Sequence, residues 1–269
     1  MKKTFFVVVV ILLLIAFGVS AFLVGSYLLE SKEQEEKYDA LASIAAAERE
    51  TTEAATEATT EAPTETTAPE TTAPTEATEP KMIYEDIYAE NQDTVGWITI
   101  PGTKVNYPVM QTPDDPNYYL ERDFYHKYSK GGTLYAWSAA DINAPSDNIT
   151  IFGHNMANGS MFATLSNYTN KYYWEDNSLI LFDTLYEYHT YKIYAVFTTS
   201  ANIGEGYSYH QFVDADNEKE FNSFVSTVKS LSLYETGITP VYGDKLIALS
   251  TCEYTHDNGR LVVCAVRIT

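Results

Sequence analysis

Residues 51–80 contain only Thr, Glu, Ala and Pro, and no other stretch limits the possible folds of this chain as strongly. The segment carries seven glutamates, no basic residue and no apolar side chain larger than Ala or Pro. It cannot bury enough surface to offset the entropy lost on ordering, so a disordered, extended spacer is predicted. At ~3 Å per residue, close to polyproline II, such a spacer reaches on the order of 90 Å. Whatever packs must therefore lie on either side of it.

On the amino side, Lys2 and Lys3 precede an uncharged run of 26 residues, Thr4 to Leu29. That exceeds the ~20 residues a helix needs to cross a bilayer. Lysines on the short side predict a cytoplasmic N-terminus, with the remainder of the chain outside. Val19-Ser20-Ala21 resembles a processing site, so a cleaved signal competes with an uncleaved anchor; the length of the run favours the anchor. The predicted division is a cytoplasmic stub and transmembrane signal-anchor over 1–30, a juxtamembrane segment over 31–50, the spacer over 51–80 and one folded extracellular domain over 81–269. About 190 residues suffice for one well-buried core.

The net charge is −20, and residues 81–269 alone hold 23 acidic against 12 basic side chains. No basic stripe is available to displace counterions, which argues against nucleic acid as a partner and against adsorption on anionic lipid. Only Cys252 and Cys264 occur. A disulfide between them stays open at this level, but a domain stapled by bridges normally uses more cysteines, so free thiols are expected. Cys264 lies in the apolar run Leu261 to Val266 and reads as buried filler.

From Lys81 the pattern is mainly β. Ile83, Tyr84, Ile87 and Tyr88 recur at helical spacing and predict a short helix ending before Gly96. Strand-like runs follow at Val95–Ile100, Val105–Gln111, Gly132–Trp137, Asn148–Phe152 and Tyr188–Thr199, separated by turn residues such as Pro101-Gly102. Asp214 to Leu231 reads instead as an amphipathic helix, with Phe221, Phe224, Val225, Val228 and Leu231 on one face and acidic residues at its start. Many short strands with one inserted helix indicate a closed or nearly closed β-barrel.

The chemistry concentrates near the carboxyl end. Leu246 to Leu249 lead into Ser250, Thr251 and Cys252; after a polar loop, Arg260 opens a second apolar run through Ile268. Two neighbouring strands would bring Cys252 and Arg260 to one spot, and a guanidinium beside a thiol favours the reactive thiolate. A base is still needed. Of the five histidines, His154 follows a strand end between flexible glycines at 153 and 159, whereas His256, in the Cys–Arg loop, is its rival. His189 reads as a surface or packing residue, and His126 and His210 sit among tyrosines in loops. No pair has zinc-ligand spacing, so neither a metal nor another cofactor is expected.

Ile151-Phe152-Gly153-His154-Asn155-Met156, Gly159-Ser160-Met161-Phe162, Leu249-Ser250-Thr251-Cys252 and Arg260-Leu261-Val262-Val263 together resemble the sortases, and within them class B. Sortases are membrane-anchored cysteine transpeptidases of Gram-positive bacteria. The resemblance runs from about Ile83 to the C-terminus, and the helix from Asp214 resembles the class B insertion. Ala248 departs from the Thr found there in many sortases, a change expected to be tolerated. The resemblance implies a closed sortase-type barrel of about eight strands with an N-terminal helix and one inserted helix before the cysteine strand. It also implies Cys252, His154 and Arg260 as catalytic residues, with Ser250, Asn117 and Leu120 along the substrate groove.

The implied reaction cleaves a C-terminal sorting motif of secreted proteins after Thr and passes the acyl group to a peptidoglycan cross-bridge amine or a pilin lysine. Two rivals stand beside it. A wall-associated cysteine hydrolase would use water as acceptor, although papain-like enzymes place Cys before His in the chain. A tethered, non-catalytic scaffold barrel would need none of the three residues.

Overall fold

The computed structural model describes residues 2–60, 81–202, 204–255 and 258–269. Residues 61–80 of the expected spacer, and His256, lie outside the described residues. The chain forms two compact units, 1–41 and 42–269.

The first unit belongs to α1 (Lys2–Thr60), a single helix. Its apolar part is long enough to cross a membrane, and side chains such as Phe5 and Phe22 are exposed along it. The helix runs past position 50 into the stretch expected to be extended. The cause is local: the prolines of that stretch begin at Pro63, and up to Thr60 no residue breaks the backbone ladder.

In the second unit, α2 (Glu85–Glu90) precedes a closed barrel of eight strands: β1 (Thr94–Thr99), β2 (Asn106–Met110), β3 (Leu134–Ala136), β4 (Asn148–Phe152), β5 (Leu179–Thr184), β6 (Thr190–Ser200), β7 (Leu246–Glu253) and β8 (Gly259–Arg267). Around the barrel the order is β1-β2-β3-β4-β7-β8-β6-β5, with β5 closing on β1. Only β2–β3 and β4–β7 run parallel; the other neighbours are antiparallel. β7 thus sits between β4 and β8, buried from Leu246 to Thr251.

The expected strands are present to within a few residues, but β5 is absent from the sequence expectation. Asp183 interrupts its apolar pattern, and the structure shows how a buried carboxylate is tolerated. Asp183 is 1% exposed and accepts from Tyr84 Oη at 2.8 Å and from the His189 backbone N–H at 3.2 Å, while Arg49 Nη1 lies 2.9 Å away. Arg49 also sits over the Tyr188 ring, and Tyr188 Oη donates to the Arg49 carbonyl at 3.1 Å. The end of α1 is therefore part of the barrel unit, which the expected boundary at Lys81 leaves out. Replacing Arg49 by alanine removes the cation from a buried carboxylate. The expected cost is about 1–3 kcal/mol, below that of a fully buried pair because the Arg49 side chain is 28% exposed. Urea unfolding measures it, and an unchanged midpoint would refute the linkage.

α3 (Lys171–Asp176) is short. The inserted helix, α4 (Glu218–Leu231), starts four residues later than expected, capped by the Asn217 side chain accepting from the Glu220 N–H. Asp214 instead holds a loop, accepting from the Asp147 N–H at 2.9 Å. Phe221, Phe224, Val225 and Val228 bury against Tyr194, Phe197, Leu246, Ala248, Val262 and Cys264 on β6, β7 and β8. Leu231, expected on that face, is 40% exposed because it occupies the last turn. His189 packs inside, as one of its two expected readings has it, and burial lowers its basicity.

Candidate active site

Side chains alternate along a strand, so Leu246, Ala248, Ser250 and Cys252 share one side of β7. Their cross-strand partners on β8 include Val262 opposite Ser250 and Arg260 opposite Cys252. Cys252 thus stands at the end of the face covered by α4, with a guanidinium as its direct neighbour. Ala248, where the sequence departs from the sortase pattern, is wholly buried in the cluster beneath α4.

The parallel partner β4 runs alongside β7 as far as Phe152 opposite Ser250. The chain stays alongside beyond the strand end because several bonds tie it there. The Gly153 N–H donates to the Ser250 carbonyl at 3.0 Å, and Thr251 Oγ1 donates to the Gly153 carbonyl at 2.7 Å. Asn155 Nδ2 donates to the Cys252 carbonyl at 3.1 Å, and Tyr254 Oη to the Asn155 carbonyl at 3.1 Å. A β-carbon at position 153 would overlap the Leu134 and Phe162 side chains, so glycine lets the chain pass here without displacing them. His154 is carried to the level of Cys252, its carbonyl accepting from the Phe162 N–H at 2.9 Å and its Nε2 lying 2.8 Å from the Leu120 carbonyl.

Cys252, His154 and Arg260 line one open cleft of about 500 Å³. The three residues expected along a groove, Asn117, Leu120 and Ser250, line the same cleft. Ser250 is only 1% exposed, and its Oγ shares a 2.5 Å hydrogen bond with Tyr209 Oη. Arg260 is fixed by its own loop: Nη1 donates to the Gly259 carbonyl at 2.9 Å and the Asn258 carbonyl at 3.3 Å. A guanidinium has five N–H donors, so others remain for a ligand.

The cleft also has an aromatic lining, which comes largely from residues that sequence reading passed over. Trp137, Phe152, Tyr135 and Tyr209 line it together with His210, whose ring is edge-on to Trp137 at 5.2 Å. Burial pushes the Tyr135 and Tyr209 hydroxyls up to about 12 and lowers the basicity of His210, so this lining is uncharged at neutral pH. No spacing in the sequence connects Tyr209 and His210 to Cys252; the long connection between β6 and β7 brings them there. His126 lies elsewhere, its Nδ1 3.3 Å from Tyr119 Oη. Both cysteines are free thiols, Cys252 half-buried and Cys264 buried. Burial pushes the Cys264 thiol up to about 12, which leaves it protonated and unreactive.

The sortase-domain profile matches residues 98–268, from β1 through the last strand. The chain belongs to the sortase family. It is 26% identical to sortase B of Staphylococcus aureus over 184 residues, covering 68% of this chain and 73% of that protein. It is 28% identical to sortase B of Listeria monocytogenes over 186 residues, with the same coverage. The structure of a Staphylococcus aureus sortase B–substrate complex superposes with a TM-score of 0.71 at 22% identity, covering 90% of this chain and 99% of that one, a likeness of fold. The eight-strand ring with an N-terminal helix is thus the sortase fold, with class B sortases as relatives, and the enzyme is a cysteine transpeptidase of the kind that anchors proteins to the cell wall.

Proposed function

We propose that this sortase cleaves a sorting motif near the C-terminus of secreted proteins after Thr, using Cys252 as nucleophile, His154 as acid and base, and Arg260 as oxyanion donor. The observation that carries this reading is the shared cleft. Antiparallel register sets Arg260 opposite Cys252, and a parallel strand end delivers His154 to the same level.

In the first half-reaction the Cys252 thiolate attacks the threonine carbonyl carbon. The C–S bond forms, and the negative charge on the oxygen is met by N–H groups of Arg260. As the intermediate collapses, the peptide C–N bond breaks and His154 as imidazolium protonates the departing amine. A thioester remains. In the second half an amine attacks that thioester, neutral His154 takes its proton, and the C–S bond breaks to release the thiolate and a new amide. Asn117 and Leu120 would contact the motif, which enters as an extended peptide, with Ser250 buried beneath it in the cleft lining. The acceptor is a peptidoglycan cross-bridge amine or a pilin lysine. The apolar part of α1 anchors the enzyme with its N-terminus in the cytoplasm, the orientation that Lys2 and Lys3 favour.

The test offers a library of candidate sorting peptides to the enzyme with and without added amine, and reads the products by mass spectrometry. Amide formed with the added amine, in preference to free acid, is expected. Free acid alone at every amine concentration would make the enzyme a hydrolase. In the same assay His154→Ala should lose turnover and His256→Ala should keep it; the reverse outcome would transfer the base to His256.

A further inference from the structure

We infer that the backbone carbonyl of Leu120 selects the form of His154, holding the proton on Nε2 and leaving Nδ1 as the nitrogen that exchanges a proton with the reacting groups. This rests on the proposed role of His154, and it adds the positioning group that role requires. In nucleophile–histidine pairs a third group commonly orients the imidazole and sets its tautomer. Among the described residues the hydrogen-bond partner of the His154 ring is Leu120 O, at 2.8 Å. A carbonyl oxygen only accepts, so the nitrogen facing it carries hydrogen; a neutral imidazole has one N–H, and its lone pair is therefore on Nδ1.

The carbonyl is held as firmly as the ring. Leu120 lies in the 3₁₀ turn Tyr118–Glu121, where its own N–H donates to the Asn117 carbonyl at 3.0 Å. The neighbouring carbonyls are taken up too: Tyr118 O accepts from Arg122 Nη1 at 3.1 Å, Tyr119 O from the Thr133 N–H at 3.0 Å, and Glu121 O from the Ser129 N–H at 3.0 Å. Arg122 also lies over the Tyr118 ring. Gly132 lets this turn sit where it does. Its φ of +57° suits glycine, and a β-carbon there would overlap the carbonyl oxygens of both Tyr119 and Leu120. On the other side, the bond from the Phe162 N–H and the Asn155 clamp on Cys252 set the His154 backbone. A neutral peptide dipole thus occupies the place that a carboxylate fills in Ser-His-Asp triads.

The full chain, with ¹⁵N-labelled histidine and held in detergent micelles, tests this by long-range ¹H–¹⁵N correlation at a pH where the imidazoles are neutral. The His154 signals are assigned by their loss in His154→Gln. The Nε2–H pattern is expected; an Nδ1–H pattern would overturn the inference. Gly132→Ala should displace the carbonyl, mix the two tautomers and lower kcat by up to about 10²-fold, the scale of a 1 Å misplacement, with a smaller change in KM. A folded Gly132→Ala with unaltered His154 signals and kcat would overturn it as well. Should that variant fail to fold, the wild-type spectrum still decides. An Nε2–H pattern in an enzyme that forms no acyl-enzyme would retain the tautomer and remove the transpeptidase reading, so the two failures are separable.

Discussion

Cys252→Ala is expected to leave no acyl-enzyme on any sorting peptide, read as the absence of an adduct in the intact-protein mass. Loss of the nucleophile from a covalent catalyst costs on the order of 10⁶ in kcat. No other thiol can take its place. Cys264, the only other thiol, is buried under α4 with its thiol pushed up to about 12, so it presents neither thiolate nor access. A thiol-reactive sorting-peptide probe should accordingly label the wild-type enzyme at Cys252 and leave Cys264 unmodified. An adduct persisting in Cys252→Ala would sink the assignment, and preferential labelling at Cys264 would count equally against it.

The second large effect belongs to Arg260. Its replacement by alanine should lower kcat by about 10²–10³, corresponding to ~3–4 kcal/mol of transition-state stabilisation. The structure explains why lysine should restore only part of this. Arg260 spends N–H hydrogen on two carbonyls of its own loop and still has donors for the cleft, because a planar guanidinium presents five of them in a rigid fork. An ammonium on a flexible stem keeps the charge and gives up the fixed direction. Arg260→Lys is therefore expected between wild type and Arg260→Ala, with the loss in kcat. If Arg260→Ala raised KM and left kcat alone, Arg260 would be a ground-state binding residue and the oxyanion role would fall.

Much of this was legible before any coordinates. Apolar runs bounded by turn residues located seven of the eight strands, and the Cys252–Arg260 pairing followed from two β runs joined by a short loop. These are local signals, carried by side-chain period and turn chemistry over a few residues. β5 escaped because its stabilising partners are remote. Asp183 looks wrong for a buried strand until Arg49 and Tyr84 are placed beside it.

The order of His, Cys and Arg with their flanking motifs, the membrane-length apolar run and the acidic balance were set by the sequence itself, because each depends on residue type at short range. The aromatic lining, with His210 and Tyr209, and the contact of Leu120 O with His154 were decided only by the tertiary structure. They join segments tens of residues apart through barrel closure and the parallel β4–β7 pairing. Backbone carbonyls have no signature in a sequence, since every residue has one, and only the path of the chain determines which of them meets an imidazole.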